Sequence, residues 1–311
     1  MNIASIDIGT NTVILLIAEI KNGKDIIPLV DKVTAPRLGK GLTIGDKLPS
    51  QNIERLISTL DEYKDIASAY GCKIVLPAGT AALRNASNSA EVTELIKARY
   101  GWELNIISSY QEAEYSYLGA IGNSDSKFIN LVIDIGGGST EISFGNGLSI
   151  ISSKGFQTGA VIATEKFFTN QPPAISEKME LEKYLNEEFK NIQNLHLKPD
   201  YAYGIAGTPV TIAGITMNLD SFDESRLNGA TISRQNVSDV IDKLMQLTSS
   251  EIAERYKEIV LGREDIILSS SIILLKIMEF LQLSAITVST KGLRYGQIVK
   301  YLKDNKLNLS L

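Results

Sequence analysis

The chain has 311 residues, 44% of them hydrophobic and 22% charged, with a formal net charge of -5. That length and balance allow two domains with sizeable cores and exclude disordered and fibrous classes. The negative field disfavours generic nucleic-acid binding, so a phosphate-bearing ligand needs local donors or a divalent cation.

The predicted elements begin with two β-rich apolar runs, residues 2–8 and 12–20, around the small-residue turn Gly9-Thr10-Asn11-Thr12, and Ile26 to Val33 adds a third strand. A loop, Arg37-Leu38-Gly39-Lys40-Gly41-Leu42, reads as flexible and basic. Apolar positions from Ile53 to Tyr70 then recur at helical spacing until Gly71 stops them. A strand at Lys73 to Pro77 precedes a helix that Ser89 can cap and Gly101 ends. A short strand, Leu104 to Ile107, leads to a helix starting near Gln111.

The polar loop Gly122 to Ser126 is the expected boundary, placing one domain at 1–122 and a second at 123–297, with the helix 298–311 available to rejoin the first. Beyond the boundary the hairpin pattern restarts, with strands at Leu131 to Ile135, Glu141 to Phe144 and Ser149 to Ser153. A polar helix from Ser176 to about Asn194, a strand from Tyr201 to Ala206, a helical stretch and a strand at Ala285 to Ser289 follow. The most apolar segment, Ile266 to Leu283, carries Lys276, Glu279 and three serines, so it reads as a buried helix and no membrane contact is expected. Strands mixed with helices in both halves give an α/β class.

Several chemistries fall away. The only histidine, His196, sits in a loop-like setting, which argues against histidine-based phosphatase or metal sites. Cys72 is the sole cysteine; it excludes internal disulfides, suits a reducing, cytoplasmic setting, and reads as a small buried hydrophobe. Asp7 lacks a carboxylate two positions later, where Gly9 stands, and no segment has P-loop spacing.

What remains is a repeated phrase. Ile6-Asp7-Ile8-Gly9-Thr10-Asn11-Thr12 returns, 127 residues later, as Ile133-Asp134-Ile135-Gly136-Gly137-Gly138-Ser139-Thr140. Such hairpins expose backbone N–H groups toward an anion, because glycine lets the main chain approach and a hydroxyl adds a donor. Two copies suggest two jaws around one phosphate-rich ligand. The second copy is the sharper motif, since Asp134 and Glu141 flank its glycines and suit a metal or phosphate site. Gly207-Thr208-Pro209 and Gly292-Leu293-Arg294 are further small-residue turns, each equally readable as structure or ligand contact. Arg84 can serve as a forked phosphate donor or a solvated surface residue, and Glu112 by position alone is an ordinary first-turn carboxylate.

In this order, Asp7 to Thr12, Arg37-Leu38-Gly39, Thr80 to Arg84, Ile107-Ser108 with Glu112, Asp134 to Glu141, Gly207-Thr208 and Gly292-Leu293-Arg294 resemble the exopolyphosphatase and guanosine pentaphosphate phosphatase family. That family is a branch of the actin, Hsp70 and sugar-kinase superfamily. The resemblance implies two actin-like, ribonuclease H-like domains with mixed sheets flanked by helices and a ligand cleft between them. It implies Glu112 as catalytic base and Asp134 and Glu141 as ligands of Mg²⁺ or Mn²⁺. It further implies Asp7, Gly9, Thr10, Asn11, Thr12, Arg84, Gly136, Gly137, Gly138, Ser139, Gly207 and Thr208 as phosphate-binding residues. The implied substrate is polyphosphate or a guanosine polyphosphate, in a minimal two-domain form compatible with a homodimer.

The sequence departs from the family pattern at Ile14, where an Arg is frequent, and at Ser109, Glu114, Thr290 and Tyr295. The departures at Ile14, Glu114, Thr290 and Tyr295 motivate a competing class beside a phosphohydrolase, a sensor that binds polyphosphate or an alarmone without cleaving it; an ATP-dependent kinase of the same superfamily also stays open, because the fold does not fix the reaction.

Overall fold

A computed structural model describes residues 1–122, 126–192 and 197–305. His196, the centre of the expected boundary loop and the end of the expected C-terminal helix lie outside the described residues. The chain divides into two compact units, Met1–Asn123 with Gly292–Leu311, and Ser124–Lys291. The return to the first unit thus begins at Gly292, six residues ahead of position 298.

In the first unit, β1 (Asn2–Ile8), β2 (Val13–Lys21) and β3 (Asp25–Thr34) form an antiparallel meander. Next come α1 (Ser50–Ala69), β4 (Ile74–Gly79), α2 (Ala81–Asn85), α3 (Ser89–Tyr100), β5 (Asn105–Ile106) and α4 (Ser109–Ile121). Strands β4 and β5 run parallel to β1, giving the sheet order β3-β2-β1-β4-β5. Both faces of β1 are covered, which is why it reads as a nearly continuous apolar run. Ala4, Ile6 and Ile8 pack with Leu56, Leu60 and Tyr63 of α1. Ile3 on the opposite face meets Tyr295, Ile298 and Leu302 of the last helix, α12 (Leu293–Asp304). That buried apolar face draws the C-terminal segment back into the first unit.

The second unit repeats the plan. Strands β6 (Ile129–Ile135), β7 (Thr140–Asn146) and β8 (Ser149–Phe156) form the meander, followed by α5 (Ala160–Phe167), α6 (Ile175–Phe189), β9 (Tyr201–Ile205) and α7 (Gly207–Thr216). Then come α8 (Glu224–Leu227), β10 (Thr231–Ser233), α9 (Arg234–Leu244), α10 (Ser249–Tyr256), a 3₁₀ turn at Lys257–Val260, α11 (Ile267–Phe280) and β11 (Ala285–Val288). The sheet order is β10-β11-β9-β6-β7-β8, with β9 parallel to both β6 and β11. Helix α11 buries Ile272, Ile273, Leu274 and Ile277 in the unit's core, as the apolar run predicts. Its serines bond to carbonyls, Ser271 Oγ to Ile267 O at 2.7 Å among them. No described helix is long and apolar enough to cross a membrane.

Two local expectations change. The loop read as flexible is pinned: the Asn52 amide donates to Leu38 O and Lys40 O, Arg55 Nε donates to Pro36 O, and Leu38 is fully buried. Ser89 is the first helical residue of α3, and Asn88 occupies the cap position, its side chain tied to the Leu48 backbone. The short α2, α5 and β10 are too brief to carry a periodic signal of their own.

Candidate active site

The turn Gly9–Thr12 closes the β1–β2 hairpin, with the Gly9 N–H donating to Thr12 O at 2.9 Å. A Cβ on Gly9 would stand 2.9 Å from that same oxygen, so this closure demands glycine. The turn's carbonyls are spent on the pinned loop: Gly39 N–H donates to Thr10 O at 2.8 Å and Arg37 N–H to Asn11 O at 3.0 Å. The N–H groups of Thr10 and Thr12 donate to no backbone carbonyl among the described residues. Thr10 Oγ1 is buried with no hydrogen-bond partner among them. The result is a turn with the carbonyls of Thr10, Asn11 and Thr12 consumed and the N–H groups of Thr10 and Thr12 kept from other backbone, an arrangement that suits an anion.

The second hairpin turn is built the same way. Gly136 N–H donates to Ser139 O at 3.0 Å, and the start of α5 consumes the carbonyls, Ala160 N–H donating to Gly136 O at 2.9 Å and Val161 N–H to Gly137 O at 2.8 Å. A Cβ on Gly159 would fall 2.5 Å from Gly137 C and O, so glycine lets α5 seat directly on the turn. The N–H groups of Gly137, Gly138 and Ser139 donate to no backbone carbonyl among the described residues.

The two hairpins differ one step behind the turn. Register pairs Asp7 with Ile14 in the first and Asp134 with Glu141 in the second. Direct cross-strand partners point to the same face, with Cβ atoms roughly 4.5–5.5 Å apart, so the second hairpin carries two carboxylates together. Glu141 is only 1% exposed. Among the described residues no group of three or more metal-ligating side chains is assembled. A carboxylate pair fits Mg²⁺, which commonly takes one or two carboxylates and completes its octahedron with water and substrate phosphate. The residues present therefore fit the implied metal.

Behind β9, Gly207 and Thr208 open α7, whose first N–H groups have no intrahelical partners. Ala206 before them has φ +63°, a conformation costly for a residue with a Cβ. Thr208 Oγ1 is fully buried without a hydrogen-bond partner among the described residues. A Cβ on Gly207 would overlap the Arg263 guanidinium, 1.7 Å from its Cζ. Burial pushes that guanidinium down to about 10, while the Asp134 carboxylate pulls its pKa upward.

In the first unit, Thr80 N–H donates to Ile8 O at 3.1 Å, joining the start of α2 to the end of β1. Arg84 on α2 reaches Glu112 on α4, Nη1 to Oε2 at 2.8 Å, and the same nitrogen donates to Ile107 O at 2.9 Å. Glu112 is buried in the first turn of α4, where the helix dipole favours a carboxylate. A capping box between Ser108 and Gln111 fixes that turn.

Residues 16–305 match the Ppx/GppA phosphatase family. The chain belongs to that family. It is 29% identical to the Aquifex aeolicus Ppx/GppA family member of known structure, with a TM-score of 0.82 and 98% of each chain covered. It is 27% identical to the bifunctional 3-dehydroquinate synthase/phosphatase of Fusobacterium nucleatum, spanning 96% of this chain and 46% of that protein. It is 26% identical to exopolyphosphatase 1 of Mycobacterium bovis, spanning 97% of this chain and 88% of the other. Each unit, a mixed sheet flanked by helices, is thus a half of the actin-like Ppx/GppA fold.

Within this Ppx/GppA chain, the parallel strands of each unit end in the candidate residues. Thr80 follows β4, Glu112 follows β5, the Gly136–Ser139 turn follows β6 and Gly207 follows β9, the strand ends where α/β sheets commonly bind ligands. The Gly292-Leu293-Arg294 turn is structural: Arg294 makes a two-pronged ion pair with Asp31, Nε to Oδ1 at 2.9 Å and Nη2 to Oδ2 at 2.6 Å. Glu114 and Thr290 are likewise engaged, with Lys300 at 3.5 Å and Glu224 at 3.1 Å. Cys72 is half-buried, its thiol pushed up by burial. Arg263 and Gly159 escaped the sequence reading. Gly262 before Arg263 and the Thr158-Gly159 step into a helix were the available signals.

Proposed function

We propose that this Ppx/GppA phosphatase removes the terminal phosphate of inorganic polyphosphate, and that guanosine pentaphosphate, with the same terminal phosphoanhydride, is a second substrate. The observation that carries the reading is the pairing of Asp134 with Glu141 directly behind a turn that keeps its N–H donors. The mycobacterial relative named exopolyphosphatase 1 supports the choice of polyphosphate.

Phosphoryl transfer asks a protein mainly for positioning and charge stabilisation. In this reading the N–H groups of Thr10 and Thr12 and those of Gly137, Gly138 and Ser139, the Thr10 and Thr208 hydroxyls and the start of α7 bind phosphate oxygens. Asp7, on the strand that feeds the first turn, orients its ligands. Asp134 and Glu141 would hold Mg²⁺ or Mn²⁺, which when bound neutralises phosphate charge. Glu112 takes a proton from the attacking water as its oxygen bonds to the terminal phosphorus. The bridging P–O bond breaks, and its electron pair leaves with the shortened chain. General-base action of this kind is worth about 10²–10⁴ in rate.

The test is phosphate release from long-chain polyphosphate, guanosine pentaphosphate and ATP, each with and without Mg²⁺. Mg²⁺-dependent release from polyphosphate is expected. Absence of release from all three overturns the reading, and tight polyphosphate binding with no release would identify a sensor.

A further inference from the structure

The Arg84–Glu112 pair assigns Arg84 a different task from the phosphate contact that resemblance implies. Arg84 Nη1 carries two hydrogens, and both have protein acceptors, Ile107 O at 2.9 Å and Glu112 Oε2 at 2.8 Å. Each acceptor is itself fixed. Ile107 is fully buried and its N–H donates to Gly79 O at 3.0 Å, so its carbonyl is set by the sheet. Glu112 N–H donates to Ser108 O at 2.9 Å within the capped first turn of α4. Arg84 N–H in turn donates to Thr80 O at 2.9 Å, which anchors the arginine to the end of β4.

We propose that Arg84 is a positioning residue for Glu112: it holds the carboxylate in one rotamer, and so acts on turnover through Glu112. A charge-assisted bond between two side chains that are 21% and 9% exposed is geometrically restrictive, and a planar guanidinium anchored on a carbonyl gives the carboxylate little freedom. The proposal rests on Glu112 being the general base. Arg84 Nε and Nη2 make no hydrogen bond among the described residues, so direct phosphate contact is the rival role.

The deciding experiment is a double-mutant cycle on full-length protein, comparing wild type, Arg84→Gln, Glu112→Gln and the double variant with long-chain polyphosphate and Mg²⁺. Arg84→Gln is expected to lower kcat about 10- to 100-fold with KM changed less than about threefold. In the Glu112→Gln background the same change is expected to cost less than about threefold, because the group it positions is gone. A KM rise of about tenfold or more at unchanged kcat, or full multiplicative losses in the double variant, overturns the proposal. Arg84→Lys, which keeps the charge and loses the fork, is expected to recover part of kcat; thermal melts of each variant separate positioning from misfolding. If wild type releases no phosphate, the functional reading fails by itself. The crystal structure of Arg84→Gln then decides: a Glu112 carboxylate spread over several rotamers supports positioning, and one unchanged rotamer overturns it.

Discussion

Asp134 and Glu141 are direct cross-strand partners at the mouth of the second hairpin, whereas the equivalent position opposite Asp7 is Ile14. One hairpin therefore holds two negative charges side by side, and its twin holds one charge against an alkyl group. Like charges directly opposite each other destabilise a sheet, by a few tenths to about 1 kcal/mol. The buried Arg263 guanidinium, electrostatically coupled to Asp134, offsets part of that repulsion. In the proposed function that repulsion is the stability cost of a site for a divalent cation.

The first prediction follows from that cost. Glu141→Gln should raise the thermal midpoint of the metal-free protein slightly, while increasing the Mg²⁺ concentration for half-maximal phosphate release about tenfold or more. Melts in chelator and an Mg²⁺ titration of activity check the two halves separately. An unchanged Mg²⁺ requirement would remove Glu141 from the metal site.

Glu112 makes the second prediction. Glu112→Gln keeps the volume and one acceptor but removes the proton acceptor, so kcat should fall about 10²–10⁴ with polyphosphate affinity retained. Steady-state kinetics together with equilibrium binding of polyphosphate measure both quantities. Wild-type turnover would mean that another group takes the proton.

The parts of this architecture that were legible in sequence are those written locally. The duplicated apolar hairpins, the glycine turns and the buried helix at Ile267–Phe280 all carry their periodicity in consecutive residues. Arg263 could not be read that way. It lies in an irregular stretch before α11, and only the fold brings its guanidinium onto Gly207 and toward Asp134. The loop at Arg37 to Leu42 misled for a related reason. Its glycines and charges resemble a free loop, yet Arg37 adopts φ +54° and its N–H is held by Asn11 O, a partner 26 positions away. Helix α5 has too few residues for a clear period, and what defines its start is the seat on Gly136 and Gly137.

Gly207 supports a third prediction. A methyl group added there meets the Arg263 guanidinium head-on, in a place where Ala206 already holds a strained backbone. Gly207→Ala should cost about 1–3 kcal/mol if the arginine cannot move aside. Chemical denaturation reads that cost. Arg263→Ala carries a cost of its own because Asp134 loses a cationic neighbour, but within that background the added Gly207→Ala should cost little, since the clash then has no partner.

The last prediction concerns stability against acid. Glu177 in the first turn of α6 accepts from Thr169 N–H at 2.8 Å, Thr169 Oγ1 at 2.7 Å, Asn170 N–H at 3.2 Å and Asn170 Nδ2 at 2.9 Å, and its other oxygen accepts from Ala174 N–H at 2.8 Å. Burial alone would raise its pKa; the bonds from Thr169, Ala174 and Asn170 outweigh burial and hold it at about 2, below the ordinary 4.5. A carboxylate depressed in the folded state stabilises fully above its unfolded pKa and loses that contribution as pH falls toward the folded value. Glu177→Ala should therefore cost about 1–3 kcal/mol near neutral pH, because several backbone donors lose their acceptor. The difference between wild type and Glu177→Ala should shrink as pH drops from about 4.5 to 2, as the linkage requires. Denaturation midpoints of the two proteins across that window test the sign. A difference that stayed constant down to pH 2 would mean that Glu177 contributes by packing rather than by its charge.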